Sequence, residues 1–146
     1  MGTTDPVRIL VVDDDPADVL MIEEALEQSG VEKTIDVVGD GREAMDFLRR
    51  SGRHVGARRP DMILLDLNMP RMDGREVLGQ VKSDPDLRTI PIVVLTTSNA
   101  DTDILSSYTL QANAYVTKPM DLDEFNTVVR HIDEFFGQVV VLPRQD

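Results

Sequence analysis

Val7-Arg8-Ile9-Leu10-Val11-Val12-Asp13-Asp14-Asp15-Pro16 joins an apolar run to three acids and a proline. The run is short, rich in branched side chains and continuous rather than alternating, the pattern of a strand covered on both faces. Asp15 can cap a helix whose first position is Pro16, and Val19, Ile22 and Leu26 then recur at helical spacing as far as Gly30. A strand that passes at once into a helix is half of a parallel crossover unit, and the rest of the chain repeats it.

A second short strand is expected at 35–38, followed by a helix from Asp40-Gly41 that turns Ala44, Phe47 and Leu48 inward until Gly52 stops it. Residues 53–60 read as a loop. The third strand is 61–66, and the turn-rich 69–74 leads into a helix using Val77, Leu78 and Val81 that ends near Pro85. A fourth strand spans 91–96. Polar residues 98–103 open a fourth helix with Ile104, Leu105 and Tyr108, and the fifth strand is 114–117. Asp121 with Glu124 three positions later starts the last helix, which carries Leu122, Phe125, Val128, Val129, Ile132 and Phe136 inward. Only residues 139–142 stay unassigned.

This βαβαβαβαβα order, with right-handed crossovers and one reversal of winding, predicts an α/β fold: a flavodoxin-like, doubly wound, five-stranded parallel sheet of order 2-1-3-4-5 with five helices. Ligands of such sheets bind outside the carboxyl ends of the strands at the switch point, here between strands one and three. Asp13, Asp14 and Asp66 fall on that boundary, with Thr96 and Lys118 closing the next two strands. Three carboxylates in one crevice repel: a like-charged pair at ~4 Å costs about 4 kcal/mol at an effective dielectric near 20. Such a trio must take up protons or recruit cations. Lys118 supplies one positive charge, and a hard divalent ion, Mg²⁺ above all, suits the rest because it keeps several waters and accepts phosphate oxygens beside few carboxylates. Asp66, fixed at the end of a buried run, could then attack a phosphoryl group whose oxygens Thr96 and Lys118 contact. Each residue has a plainer reading: Asp13 and Asp14 as the start of a loop, Thr96 as a branched strand residue, Lys118 as a solvated charge before Pro119. Their joint placement favours the site.

Composition narrows the field. With 146 residues, 41% hydrophobic, the chain can bury ~70% of its unfolded surface in one core. The formal charge of −12 disfavours nucleic acid and anionic membranes, and the absence of cysteine removes disulfides, thiol catalysis and Cys-ligated metals. With no long apolar span and no signal sequence, a cytoplasmic location is expected. Arg49, Arg50, Arg53, Arg58 and Arg59 crowd the stretch before strand three of this acidic chain. They read first as a solvated helix end and loop, and second as a docking surface for an acidic partner. His54 and His131 read as surface residues away from the acidic crevice.

Four segments together, Val11-Val12-Asp13-Asp14-Asp15, Leu64-Leu65-Asp66-Leu67-Asn68-Met69-Pro70 with Asp73-Gly74, Val94-Leu95-Thr96-Thr97-Ser98 and Tyr115-Val116-Thr117-Lys118-Pro119, resemble the receiver domain of bacterial two-component response regulators. The resemblance covers about residues 7–137, leaving 1–6 and 138–146 as tails. It implies that Asp66 is the phosphoacceptor, charged by a phosphohistidine of a sensor kinase. It further implies that Asp14, Asp66 and the backbone carbonyl of Asn68 bind Mg²⁺, with Mn²⁺ or Ca²⁺ able to replace it, and that Asp13 acts through a coordinated water. Thr96 and Lys118 would hold the phosphoryl group, Pro119 would follow a cis bond, and Thr96 with Tyr115 would form the switch. The switch would alter the face made by the fourth helix, fifth strand and fifth helix. Asn68 and Ser98 would tune the lifetime of the phosphorylated form. Such a chain transfers a phosphoryl group to itself and slowly hydrolyses it, and is otherwise no enzyme.

The loop at 52–60, Gly74-Arg75-Glu76-Val77-Leu78, Lys82-Ser83-Asp84-Pro85-Asp86-Leu87 and the tail Val139-Val140-Val141-Leu142-Pro143 resemble more narrowly the single-domain regulators paired with bacterial and cyanobacterial phytochrome kinases. That likeness implies a red-light-sensing histidine kinase or phosphatase as partner, and a homodimer through the switch face and the C-terminal tail. A chemotaxis-type regulator is the alternative within the family. Outside it, a haloacid-dehalogenase-like phosphatase wants an acid where Asn68 stands, a flavodoxin-like carrier would meet repulsion from Asp13, Asp14 and Asp15, and a transcription factor needs an output module after the last helix.

Overall fold

The computed structural model describes residues 6–27, 32–67, 69, 73–96 and 114–117, the last strand and positions 95 and 96 by their backbone alone. Five parallel strands, β1 (Val7–Val12), β2 (Lys33–Val38), β3 (Met62–Leu65), β4 (Ile92–Thr96) and β5 (Ala114–Thr117), form one sheet of order β2-β1-β3-β4-β5. This is the expected order. Three helices lie among the described residues: α1 (Pro16–Glu27), α2 (Gly41–Arg49) and α3 (Gly74–Ser83). The expected fourth and fifth helices and the 139–142 segment lie outside them.

The sheet is covered on both sides, and the strands show why their runs are continuous. Leu10, Val12, Ile63, Leu65, Ile92 and Val94 point into a core with Ala44, Phe47, Val77, Leu78 and Val81 of α2 and α3. Val7, Ile9, Val11, Met62, Leu64 and Val93 point the other way, against Ile22, Ala25 and Leu26 of α1. Successive strand residues face opposite sides, so two apolar layers require every position to be apolar.

Several boundaries differ from expectation. β2 begins at Lys33 rather than 35 because its pairing with β1 runs the full length, Val7 opposite Lys33 to Val12 opposite Val38. As an edge strand it needs little apolar content. Asp61 and Asp66 flank β3 instead of belonging to it, and Asp61 accepts the Arg8 N–H at 2.9 Å. α2 is not stopped by Gly52. It ends at Arg50, which takes the left-handed conformation (φ 56°) and donates its N–H to Asp46 and Phe47 carbonyls. Gly52, also left-handed at φ 59°, instead starts a 3-10 turn over Gly52–His54 inside the supposed loop. His54 is not a plain surface residue: its ring meets Phe47 edge-on at 5.3 Å and its Nε2 lies 3.3 Å from the Glu43 carboxylate. Glu43 also pairs with Arg53 and accepts the Gly39 N–H, so it fastens the loop to the start of α2.

The link from α3 to β4 is braced by Lys82. Its ammonium donates to the carbonyls of Arg88 at 3.0 Å and Ile90 at 2.8 Å, and burial pushes its pKa below 10.5.

Candidate functional site: an acidic crevice at the strand ends

Strand register sets the site. Val12 lies opposite Leu65, Leu65 opposite Val94, and Val94 opposite Tyr115, so the carboxyl ends of four strands finish nearly level. The next residues of β1 and β3 are Asp13 and Asp66. Their backbones extend the ladder: Asp13 N–H donates to Val38 at 3.1 Å and Asp66 N–H to Val12 at 2.9 Å. Thr96, the last residue of β4, is paired with Thr117 at the same edge.

The carboxylates converge as the sequence predicts. One oxygen from each of Asp13, Asp14 and Asp66 lies within 4.8 Å of the others. Asp13 and Asp66 are buried, at 3% and 8% exposure, and Asp14 faces solvent. Asp15 plays another part: its Oδ1 accepts the Ala17 N–H at 2.9 Å and caps α1. Asp13 Oδ1 accepts the Asp15 N–H at 2.9 Å, which fixes the turn that presents Asp14. Two desolvated anions and a third at their open side form an all-oxygen donor set, the chemistry that a hard divalent cation selects. The residues present fit such an ion.

Of the remaining expected site residues, Thr96 and Tyr115 are placed by their strand backbones alone, at the end of β4 and within β5. Asn68, Ser98, Lys118 and Pro119 lie outside the described residues.

One contributor had been quoted only as part of a motif. Gly74 opens α3 directly beneath the site, its N–H donating to Leu67 at 2.9 Å. A Cβ there would come within 2.6 Å of Leu67 Cα and closer still to the Asp66 carbonyl oxygen. Asp73 caps the same helix, accepting the Arg75 and Glu76 N–H groups. Gly74→Ala must therefore push α3 away from the Asp66 peptide. Overpacking of this kind costs about 1–3 kcal/mol. Denaturant unfolding should register that loss as a lower midpoint than in the unaltered chain.

A crevice of acids at the switch point of a 2-1-3-4-5 sheet is the layout of a receiver. The chain belongs to the response regulator receiver domain family, whose model matches residues 9–130. It is similar to response regulator Rcp1 of Synechocystis sp., with 43% identity over 138 residues, 94% of each chain. Among solved structures it resembles the phosphorylated cyanobacterial phytochrome response regulator RcpA, with a TM-score of 0.93 and 46% identity over 96% of this chain and all of that one. The Mn²⁺-bound form of Rcp1 gives a TM-score of 0.92 and 42% identity over 95% and 100%. The chain is thus a receiver-domain response regulator, a signalling protein, homologous to phytochrome response regulators. Among the described residues no helix is long and apolar enough to cross a membrane.

Proposed function

We propose that this chain accepts a phosphoryl group on Asp66 from the phosphohistidine of a phytochrome-type sensor kinase in the cytoplasm. The observation that carries the reading is the convergence of the Asp13, Asp14 and Asp66 carboxylates within 4.8 Å. An Asp66 oxygen forms the new bond to phosphorus while the phosphorus–nitrogen bond of the donor breaks, and the departing imidazole keeps the bonding electrons and takes up a proton. Asp14, Asp66 and the Asn68 carbonyl would hold Mg²⁺, with Asp13 engaged through a water. When bound, the ion supplies positive charge against the transferred oxygens, where electrostatic stabilisation contributes most to phosphoryl transfer. Thr96 would donate a hydrogen bond to the phosphoryl group and Lys118 an ion pair, while Asn68 and Ser98 govern access of the water that resets Asp66. Movement of Thr96 and rotation of Tyr115 would then change the outer face around β5. A cis bond before Pro119 would aim Lys118.

What supports the kinase class is the likeness to Rcp1 and RcpA, the second described as a phytochrome response regulator. The receiver unit is taken as residues 7–137, with 1–6 and 138–146 as tails, and neither nucleic acid nor membrane as a partner. Intact mass after incubation with acetyl phosphate and Mg²⁺ tests the reading: a single phosphoryl adduct, mapped by peptide analysis to Asp66, is expected, and an adduct mapped elsewhere overturns it. The apolar tail at 139–142 would complete a homodimer through the switch face. Light scattering at micromolar concentration should give a dimer for the full chain and a monomer after removal of 139–146. A monomer in both forms ends the dimer proposal.

A further inference from the structure

A second charged feature lies at the other pole of the molecule. Arg8 lies near the start of β1, Arg49 and Arg50 end α2, and Arg58 and Arg59 lie in the loop before β3. In a parallel sheet, strand beginnings and helix ends share the edge away from the strand carboxyl ends, so these arginines sit opposite the acidic crevice. From 47 to 60 the sequence holds five arginines and no acid, in a chain of net charge −12.

The cluster borders a cleft of about 390 Å³. It is lined by Leu48, Pro60 and Leu87, by the arginines Arg49, Arg50 and Arg59, and by Asp84 and Asp86. Arg59 is pinned, donating to the Asp86 carbonyl and, at 2.8 Å, to the Thr89 hydroxyl, and Lys82 braces the same link from behind. The cleft wall is therefore preformed. Arg49, Arg50 and Arg58, by contrast, are exposed and make no ion pair or side-chain hydrogen bond among the described residues. Arg50 also occupies a left-handed position (φ 56°) that glycine fills at lower cost.

We propose that this cleft docks an acidic segment of a partner protein, carrying an apolar residue for Leu48, Pro60 and Leu87 and carboxylates for the arginines, independently of the state of Asp66. Charge complementarity selects the partner. Exposed guanidiniums favour carboxylates, which they bind through paired N–H groups. An extended polyanion would also meet the acidic remainder of the chain, whereas a short segment feels only the charges within a Debye length of ~8–10 Å. Leu48, Pro60 and Leu87 beside three guanidiniums call for an amphipathic segment rather than a bare anion.

Fluorescence anisotropy with the full chain tests this, using a labelled peptide of two leucines flanked by glutamates and its glutamine counterpart. The glutamate peptide should bind at least ~10-fold more tightly, a difference of about 1.4 kcal/mol, and weaken as salt rises from 50 to 300 mM. Arg49→Glu with Arg50→Glu should remove that preference. Arg50→Gly should weaken binding while raising the unfolding midpoint, which separates docking from folding. Binding should survive Asp66→Asn and treatment with acetyl phosphate and Mg²⁺, so failure of the phosphoacceptor reading leaves this one standing. Equal binding of both peptides, no binding of either, or indifference to the double charge reversal overturns the proposal. Charge-reversal-sensitive binding of phosphatidylserine vesicles or an oligonucleotide in preference to the glutamate peptide overturns it too.

Discussion

Asp66→Asn should abolish phosphoryl labelling by acetyl phosphate while leaving the fold intact. The amide keeps the shape of the carboxylate at a site that is 8% exposed, and the Asp66 N–H bond to Val12 belongs to the backbone, so the sheet edge is not disturbed. What disappears is the oxygen proposed to attack phosphorus. Asp13 and Asp14 reach the same crevice from the end of β1, within 4.8 Å of Asp66, so peptide mapping of any residual adduct tells them apart from it. The variant should also resist unfolding better than the unaltered chain without divalent ions, since one of three mutually repelling charges has gone. Intact mass and a thermal melt check the two halves separately. An adduct that persists in the variant would remove Asp66 from its role.

Asp13→Asn should reverse its rank in thermal stability against the unaltered chain when Mg²⁺ is added. At 4.8 Å and an effective dielectric near 20, two carboxylates repel by about 3 kcal/mol, and water at the open side of the crevice lowers this to roughly 1–3 kcal/mol. Without metal the variant should therefore melt higher. Its Oδ1 can still accept the Asp15 N–H, so the turn holds. With Mg²⁺ the order should reverse: stabilisation grows as RT ln(1 + [L]/Kd), and loss of a water-linked carboxylate typically lowers metal affinity 10- to 100-fold. Thermal melts across a Mg²⁺ titration measure both limbs. Equal metal-induced gains in the two proteins would show that Asp13 takes no part in holding the ion.

Much of this was legible in the amino-acid order because two strong signals agreed. Continuous apolar runs marked β1, β3 and β4, and each was followed by a polar residue, so strand order and site came from one pattern. Asp15-Pro16 and Asp40-Gly41 marked helix starts, where a short acid side chain caps free N–H groups. Less legible features depended on contacts distant in sequence or on backbone conformation. Lys33 joins β2 through its register with Val7, which edge-strand composition does not announce. Gly52 attracted the helix stop that Arg50 takes, because glycine is the usual left-handed residue and nothing in the sequence marks an arginine for that conformation. The fastening of His54 to Glu43 and Phe47 arises from a chain reversal too short to show periodicity. Gly74 was visible as a motif, but its close approach to Asp66 belongs to tertiary structure.

The proposed switch depends on the acids that follow β1 and β3 sharing one rim around a hard divalent cation. Anomalous diffraction from crystals grown with Mn²⁺ tests it most directly, since Mn²⁺ takes the same oxygen ligands as Mg²⁺. A single strong peak within direct coordination distance, ~2.0–2.6 Å, of carboxylate oxygens of both Asp14 and Asp66 is expected. A map with no peak in the crevice, or with its peak bound to only one strand's acid, would contradict it.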